Sequence, residues 1–291
     1  MGNMLRFEFR RLLKKPSFYV CLALCAAFTI IVAVASKISF DDQYRFYMSS
    51  KDITGYYEYD SIDSLKNTFA SNFSPQMMIL SDIALGVLPT VLAIFSGIFV
   101  CEDKVRGTIK NIYARGYSRT SVFFSKFIVS SCVALALYIV MSLILYLSGL
   151  AIFSVKPFDV QILRVNGFVL LVLGKMLSIL ALNAMYFMLS ELIGSTGFSI
   201  AANIFLPSAV STFVYVALNI WFNMIRQTDW EYSYGIISKI SEYWIYSLVN
   251  GGFSQDMKPE NYVWHLIACM GYLLLFGLLG WLIARKKQVK N

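Results

Sequence analysis

The sequence predicts an all-α polytopic membrane protein. It has six transmembrane helices, an N-terminal interfacial helix and both termini in the cytoplasm. Three observations predict this. Apolar residues make up 58% of the 291-residue chain and charged residues 14%, where a soluble domain carries about a quarter charged. Apolar runs of about 18 residues or more recur, each long enough to cross a bilayer core. Fifteen of the 25 Lys and Arg residues fall within 6–15, 104–126 and 285–290, and six spans put all three stretches on one side, the inner side by the positive-inside bias.

Other classes fit poorly. A β-barrel would alternate apolar and polar residues over segments of about ten, but these runs are continuous in Leu, Ile, Val, Ala and Phe. The net charge of +8 suggests nucleic acid only until its distribution is read; sorted by topology, it excludes that partner. Cys21, Cys25, Cys101, Cys132 and Cys269 lie in or beside apolar runs, so no disulfide framework is expected. With one histidine and no CxxC, no metal site is expected. The chain therefore reads as a single transmembrane domain, 1–291.

Residues 4–15 read MLRFEFRRLLKK. Leu5, Phe9, Leu12 and Leu13 share a helical face, with Arg6, Arg10, Arg11 and Lys14 gathered elsewhere, as suits a helix among anionic headgroups. Pro16 suits the first turn of the next helix. The first span is 18–36. Its run of about 19 residues is too long for a signal-peptide core, so it is read as uncleaved. An outer loop, 37–82, follows; 64–73 is a candidate interfacial helix within it. The second span is 83–100, where Pro89 removes a backbone bond and is a candidate kink.

The third span, 127–153, ends at a short outer turn around Lys156-Pro157. The fourth, 169–190, contains Lys175, which reaches outward along the helix if the span begins near Leu171. The preferred reading is this snorkelling. A tight inner turn over 191–199 leads to the fifth span, 200–222, which contains Pro207. The second outer segment, 223–262, is rich in Trp and Tyr, and 236–249 reads as an amphipathic or re-entrant helix. The sixth span is 263–284. Trp264 and Trp281 are 17 residues apart, about 25 Å along a helix, and suit interfacial anchoring at the two faces. His265 reads as structural, with no acidic neighbour in sequence. The outer segments carry more acids than bases and the inner segments the reverse.

No GxxxxGK[ST] phosphate loop occurs, nor GxSxG or HExxH, so the chain shows no catalytic residues and no route to ATP hydrolysis of its own. Chemistry gives way to a polar, basic connection at 101–126, reading CEDKVRGTIKNIYARGYSRTSVFFSK. Val105 to Tyr113 is a candidate amphipathic helix. Gly107 would allow close backbone approach, and Ser118 would cap the helix running through Lys126 into the third span.

Glu102, Gly107-Thr108, Ser118-Arg119 and Lys126 stand at a spacing that resembles the segment after the second span of ABC-2 type transporter permeases, the membrane subunits of ABC transporters. The likeness extends to the interfacial helix, the six spans and the large first outer loop. Gly116-Tyr117 departs from it, since that family often has proline before the Ser-Arg pair. The resemblance implies that 101–126 couples to an ABC ATP-binding subunit, with Glu102, Arg106, Gly107, Thr108, Lys110, Arg115, Ser118, Arg119 and Lys126 as the coupling residues. It further implies ATP and Mg on that partner, no cofactor in this chain, a second permease chain, the lipid bilayer as surroundings and a multi-pass place in a bacterial plasma membrane. The expected activity is export of an amphipathic or cationic substrate such as an antimicrobial peptide. The alternatives are export of lipid-linked or drug-like amphiphiles, and a non-transporting scaffold or sensor that docks a cytoplasmic partner. Lys175, Pro89 and Pro207 are candidates for a substrate path or gate.

Overall fold

The computed structural model describes residues 2–49, 87–153, 165–225, 239, 241–250, 253 and 259–286. Nearly all of them are helical. The helices are α1 (Gly2–Leu13), α2 (Pro16–Ser49), α3 (Val87–Val105), α4 (Thr108–Ala114), α5 (Arg119–Phe153), α6 (Val165–Ile193), α7 (Thr196–Ile225), α8 (Ile245–Asn250) and α9 (Pro259–Lys286). Five described stretches are long and apolar enough to cross a membrane: Pro16–Ala35, Arg119–Ser148, Val169–Ile193, Thr196–Val214 and Asn261–Lys286. The chain is a multi-pass all-α membrane protein.

The helices outrun the apolar stretches. Pro16 opens α2, where its missing N–H costs nothing. The outer loop expected from residue 37 is helical as far as Ser49, and Lys37 Nζ meets Asp41 Oδ1 one turn on at 2.7 Å, a pairing that supports a solvated helix end. Likewise α5 begins at Arg119, eight residues before the expected third span. The helix expected at 64–73 and the turn at Lys156-Pro157 lie outside the described residues. So do 83–86 of the second span and 236–238 of the re-entrant segment, of which α8 is described.

Helix α6 is the centre of the molecule, packing on α3, α5, α7, α8 and α9. Phe187 on α6 meets Phe123 and Phe127 of α5 edge-on at 5.3 and 5.5 Å. In lipid, apolar burial gives helices little reason to associate, so close fit and interhelical hydrogen bonds do that work. A Cβ on Gly97 of α3 would stand 2.6 Å from the Ile200 side chain of α7, and one on Gly174 of α6 would stand 2.3 Å from the Phe253 ring. Between these contacts Asn183 Oδ1 accepts from Ser130 Oγ at 2.9 Å and from Ser96 Oγ at 3.3 Å, which joins α6, α5 and α3.

The long helices alternate in direction. The C-terminal ends of α3, α6 and α9 and the N-terminal ends of α2, α5 and α7 gather on one face with α1 and α4. Arg119 Nη1 at the start of α5 donates to the Arg285 carbonyl at the end of α9 at 3.2 Å, and Lys104 at the end of α3 pairs with Glu191 at the end of α6. This is the basic face.

Candidate functional site

The connection at 101–126 is built from three helix ends. Helix α3 stops because Gly107 takes the left-handed conformation (φ 68°), which a Cβ would disfavour, and α4 starts at the next residue. Nothing lies within 4 Å of a Cβ built on Gly107. Its role is therefore the turn itself, and the expected close backbone approach is absent. Gly116 (φ 85°) makes the second turn, at the position where proline was the family expectation. Ser118 Oγ then accepts the Ser121 N–H at 3.2 Å, an N-cap for α5.

Asp103 holds these ends together. Its carboxylate accepts from Arg11 of α1, with Nη1 at 2.6 Å from Oδ2, from Lys126 of α5, and from Thr108 Oγ1 of α4 at 3.0 Å. Asp103 and Lys126 are both almost completely buried. Burial alone would push the Asp103 carboxyl up; the bond from Arg11 and the nearby charge of Lys126 outweigh it and hold the group well below the usual aspartate range. An apolar cluster of Met4, Ile112 and Val122 adds a second tie between α1, α4 and α5.

Glu8 stands beside this centre, fully buried, with no hydrogen-bond partner among the described residues on either carboxylate oxygen. Burial raises its carboxyl above the usual range, against the attraction of Lys126. The inward stripe of α1 is thus Met4, Glu8 and Leu12, while Leu13, placed on the apolar face by its spacing, is 56% exposed.

The remaining coupling candidates divide by exposure. Glu102 pairs with Lys15 and, at 3.2 Å, with Arg106. Arg106, Lys110 and Arg115 are exposed. Arg119 is half-buried over the Tyr113 ring, 5.9 Å from its centroid. Lys126 is a buried partner of Asp103, unlike the exposed cations.

The family described as Protein of unknown function (DUF2705) matches residues 29–289. The chain belongs to this family. No curated protein matches it. The DUF2705 match takes in Asp103, Lys126 and all of 101–126, and begins after Glu8 and Arg11 of α1.

Three other candidates in this DUF2705 chain lie away from the basic face. Lys175 does not snorkel. Helix α6 starts at Val165, which places Lys175 about 15 Å along it, fully buried. Its Nζ donates to the Val249 carbonyl at 3.2 Å, in the last turn of α8, where a cation suits the helix dipole. Pro207 lies inside α7, and its carbonyl accepts Trp244 Nε1 at 3.1 Å. Pro89 stands in the first turn of α3, where it breaks no bond within the described helix. His265 has an acidic neighbour after all: its Nε2 lies 3.2 Å from Glu242 Oε1.

The sequence pattern did not single out Asp103, Glu8 or Glu191, and it set Arg11 among the headgroup-facing cations, whereas Arg11 turns onto Asp103. Asp103 follows Glu102 directly, and neighbouring helical residues point about 100° apart, one outward and one inward. A charge at the end of an apolar run, one turn before a Gly-Thr break, was the available signal. Glu8 stood on the Met4–Leu12 stripe, one turn from each.

Proposed function

We propose that this chain is the permease subunit of an ATP-driven ABC transporter in a bacterial plasma membrane. In this reading α3, with 83–86, is the second of six spans, the basic face is cytoplasmic, and both termini lie there. A second permease chain and two ATP-binding subunits complete the unit, and those subunits hold the ATP and magnesium. The substrate is an amphipathic or cationic molecule such as an antimicrobial peptide, moved outward.

The observation that carries this reading is α4. It is a short helix between two long ones, with Lys110 exposed on it, Arg106 exposed just before it and Arg115 exposed at its end. It is tied rigidly through Asp103 to what lies behind. A push on α4 passes through Thr108 and Asp103 to Lys126 and α5. It also passes through Arg11 to α1, and through Glu102 and Lys15 to the start of α2. One docked partner would thereby move three helices together. The cations match an acidic groove on that partner, and the spacing of Glu102, Gly107-Thr108, Ser118-Arg119 and Lys126 supplies the family resemblance.

The test pairs the chain with the ATP-binding protein that co-purifies with it. Arg106→Glu and Glu102→Ala should abolish efflux while ATP hydrolysis and membrane insertion persist. Wild-type efflux in both variants would sink the coupling role, and failure to recover any ATP-binding protein would favour the scaffold reading.

A further inference from the structure

A cavity of about 550 Å³ opens on the basic face, between the α1–α2 junction, the end of α3 and the start of α7. Ile98, Glu102 and Val105 turn one face of α3 towards it, at helical spacing. Arg11, Lys14, Lys15 and Arg106 also line it, with Glu102 as the single lining carboxylate among the described residues. Both oxygens of Glu102 are taken, one by Lys15 and one by Arg106. Behind the wall, Asp103 answers Arg11 and Lys126 at once. Each of these carboxylates thus serves two cations. Glu8 is the third acid whose charge reaches Arg11. Glu191 lines no part of this cavity and pairs with Lys104. Lys14 is exposed and makes no ion pair among the described residues. Arg11, Lys14, Lys15, Arg106 and Lys126 therefore outnumber Glu102, Asp103 and Glu8, even with Glu8 ionised.

The cavity also has a defined depth. Two of the stretches long and apolar enough to cross a membrane, Pro16–Ala35 and Thr196–Val214, begin at its rim. Its cations therefore stand where spanning helices leave the bilayer, at headgroup level. Ile98 and Val105 supply an apolar wall beside them. Ser17 and Thr196 add hydroxyls from the first turns of α2 and α7. Cations next to an apolar wall suit an anion carried on an apolar body. Guanidinium and ammonium donors together favour phosphate oxygens, and anionic lipids supply such groups at this depth.

We infer that this cavity binds a phosphate ester, the headgroup of an anionic membrane lipid. The phosphate draws on Lys14 and Arg106, the two lining cations that are exposed, and the acyl portion leaves past Ile98 and Val105. A lipid seated there ties the α1–α2 junction to the end of α3. The site requires no ATPase partner, so it stands or falls separately from the coupling proposal.

The full chain in neutral detergent is titrated with phosphatidylglycerol, phosphatidylcholine or glycerol phosphate, and bound copies are read by native mass spectrometry alongside the melting temperature. Phosphatidylglycerol should be retained and raise the melting temperature, and phosphatidylcholine should do neither. Lys14→Gln with Arg106→Gln should weaken retention about 30-fold, at the usual worth of two cations near a lipid surface, with unchanged melting in detergent alone. If that double variant melts lower, Lys14→Gln alone, which breaks no ion pair, should still weaken retention about 5-fold. Arg10→Gln with Lys110→Gln removes two exposed cations of the same face that lie outside this cavity, and should leave retention as it was. Glycerol phosphate binding that is lost in the Lys14 and Arg106 variant, without retention of phosphatidylglycerol, would keep the phosphate site and reassign its source to a soluble ester. Equal retention of the two lipids, retention unchanged in the Lys14 variants, or an equal loss in the Arg10 and Lys110 control would overturn the proposal.

Discussion

Asp103 is the residue on which the basic face depends. Removing one member of a buried ion pair strands the other, which costs about 3–5 kcal/mol. Asp103→Ala should therefore lower the melting temperature sharply in detergent, and adding Lys126→Met should recover most of the loss. The pair also sets a pH dependence. The folded Asp103 carboxyl titrates below its unfolded value, so its stabilisation is complete above about pH 4 and is lost as pH falls through the depressed folded value. Glu8 has the opposite sign. Its folded carboxyl titrates above the unfolded value; the associated stability is complete below about pH 4 and is lost as pH rises through the raised folded value. Glu8→Gln should thus stabilise the chain near neutral pH. That gain should shrink towards zero on approach to about pH 4, read as melting temperature against pH for both proteins. A constant difference at all pH values would show that the Glu8 charge is immaterial.

At the scale of elements, α4 is positioned by its flanking turns. Gly107→Ala forces a Cβ into the left-handed region at a cost of about 1–2 kcal/mol, and Ser118→Ala removes a cap worth about 1 kcal/mol. Faster hydrogen exchange confined to 105–122 in both variants is the expected result; exchange spread evenly over the chain would show that the turns do not set α4. The helix expected over Val105 to Tyr113 ran through Gly107, where the chain turns instead. Of these features only the Ser118 cap was legible beforehand, because it is a local signal. The helix ends were not. An apolar run marks what the bilayer needs, while polar residues continue the same helix beyond it, as in α2 to Ser49 and α5 from Arg119. Lys175 was misplaced for that reason: its depth depended on where α6 starts, and the residues before Val169 carry no sharp signal. The inward turn of Asp103 and Glu8 depended on where α1 docks, a contact between segments 92 residues apart.

For the whole molecule, alternating helix direction brings residues 6–15, 104–126 and 285–286 to one face. With that face cytoplasmic, a cysteine introduced at the exposed Arg115 should escape a membrane-impermeant maleimide in intact cells and react in inside-out vesicles, in a variant freed of the five natural cysteines. Labelling in intact cells would reverse the orientation. The centre of the bundle holds little charge. Its polar contacts, such as Asn183 with Ser96 and Ser130, are individually modest, about 0.6 kcal/mol each. Specificity of packing rests as much on Gly97 and Gly174, which admit Ile200 and Phe253.

The ties at Asp103 also impose an order on synthesis. Arg11 leaves the ribosome 92 residues before its partner, and Lys126 emerges 23 residues after it. Helix α1 must therefore wait while α2 and α3 are made, and its buried stripe stays uncovered until α5 begins to form. Any nascent chain halted before residue 126 has Arg11 and Thr108 for Asp103 but lacks its buried Lys126 partner and the α5 surface that covers α1. Such a chain offers a mark by which proteolysis can separate incomplete copies from finished ones.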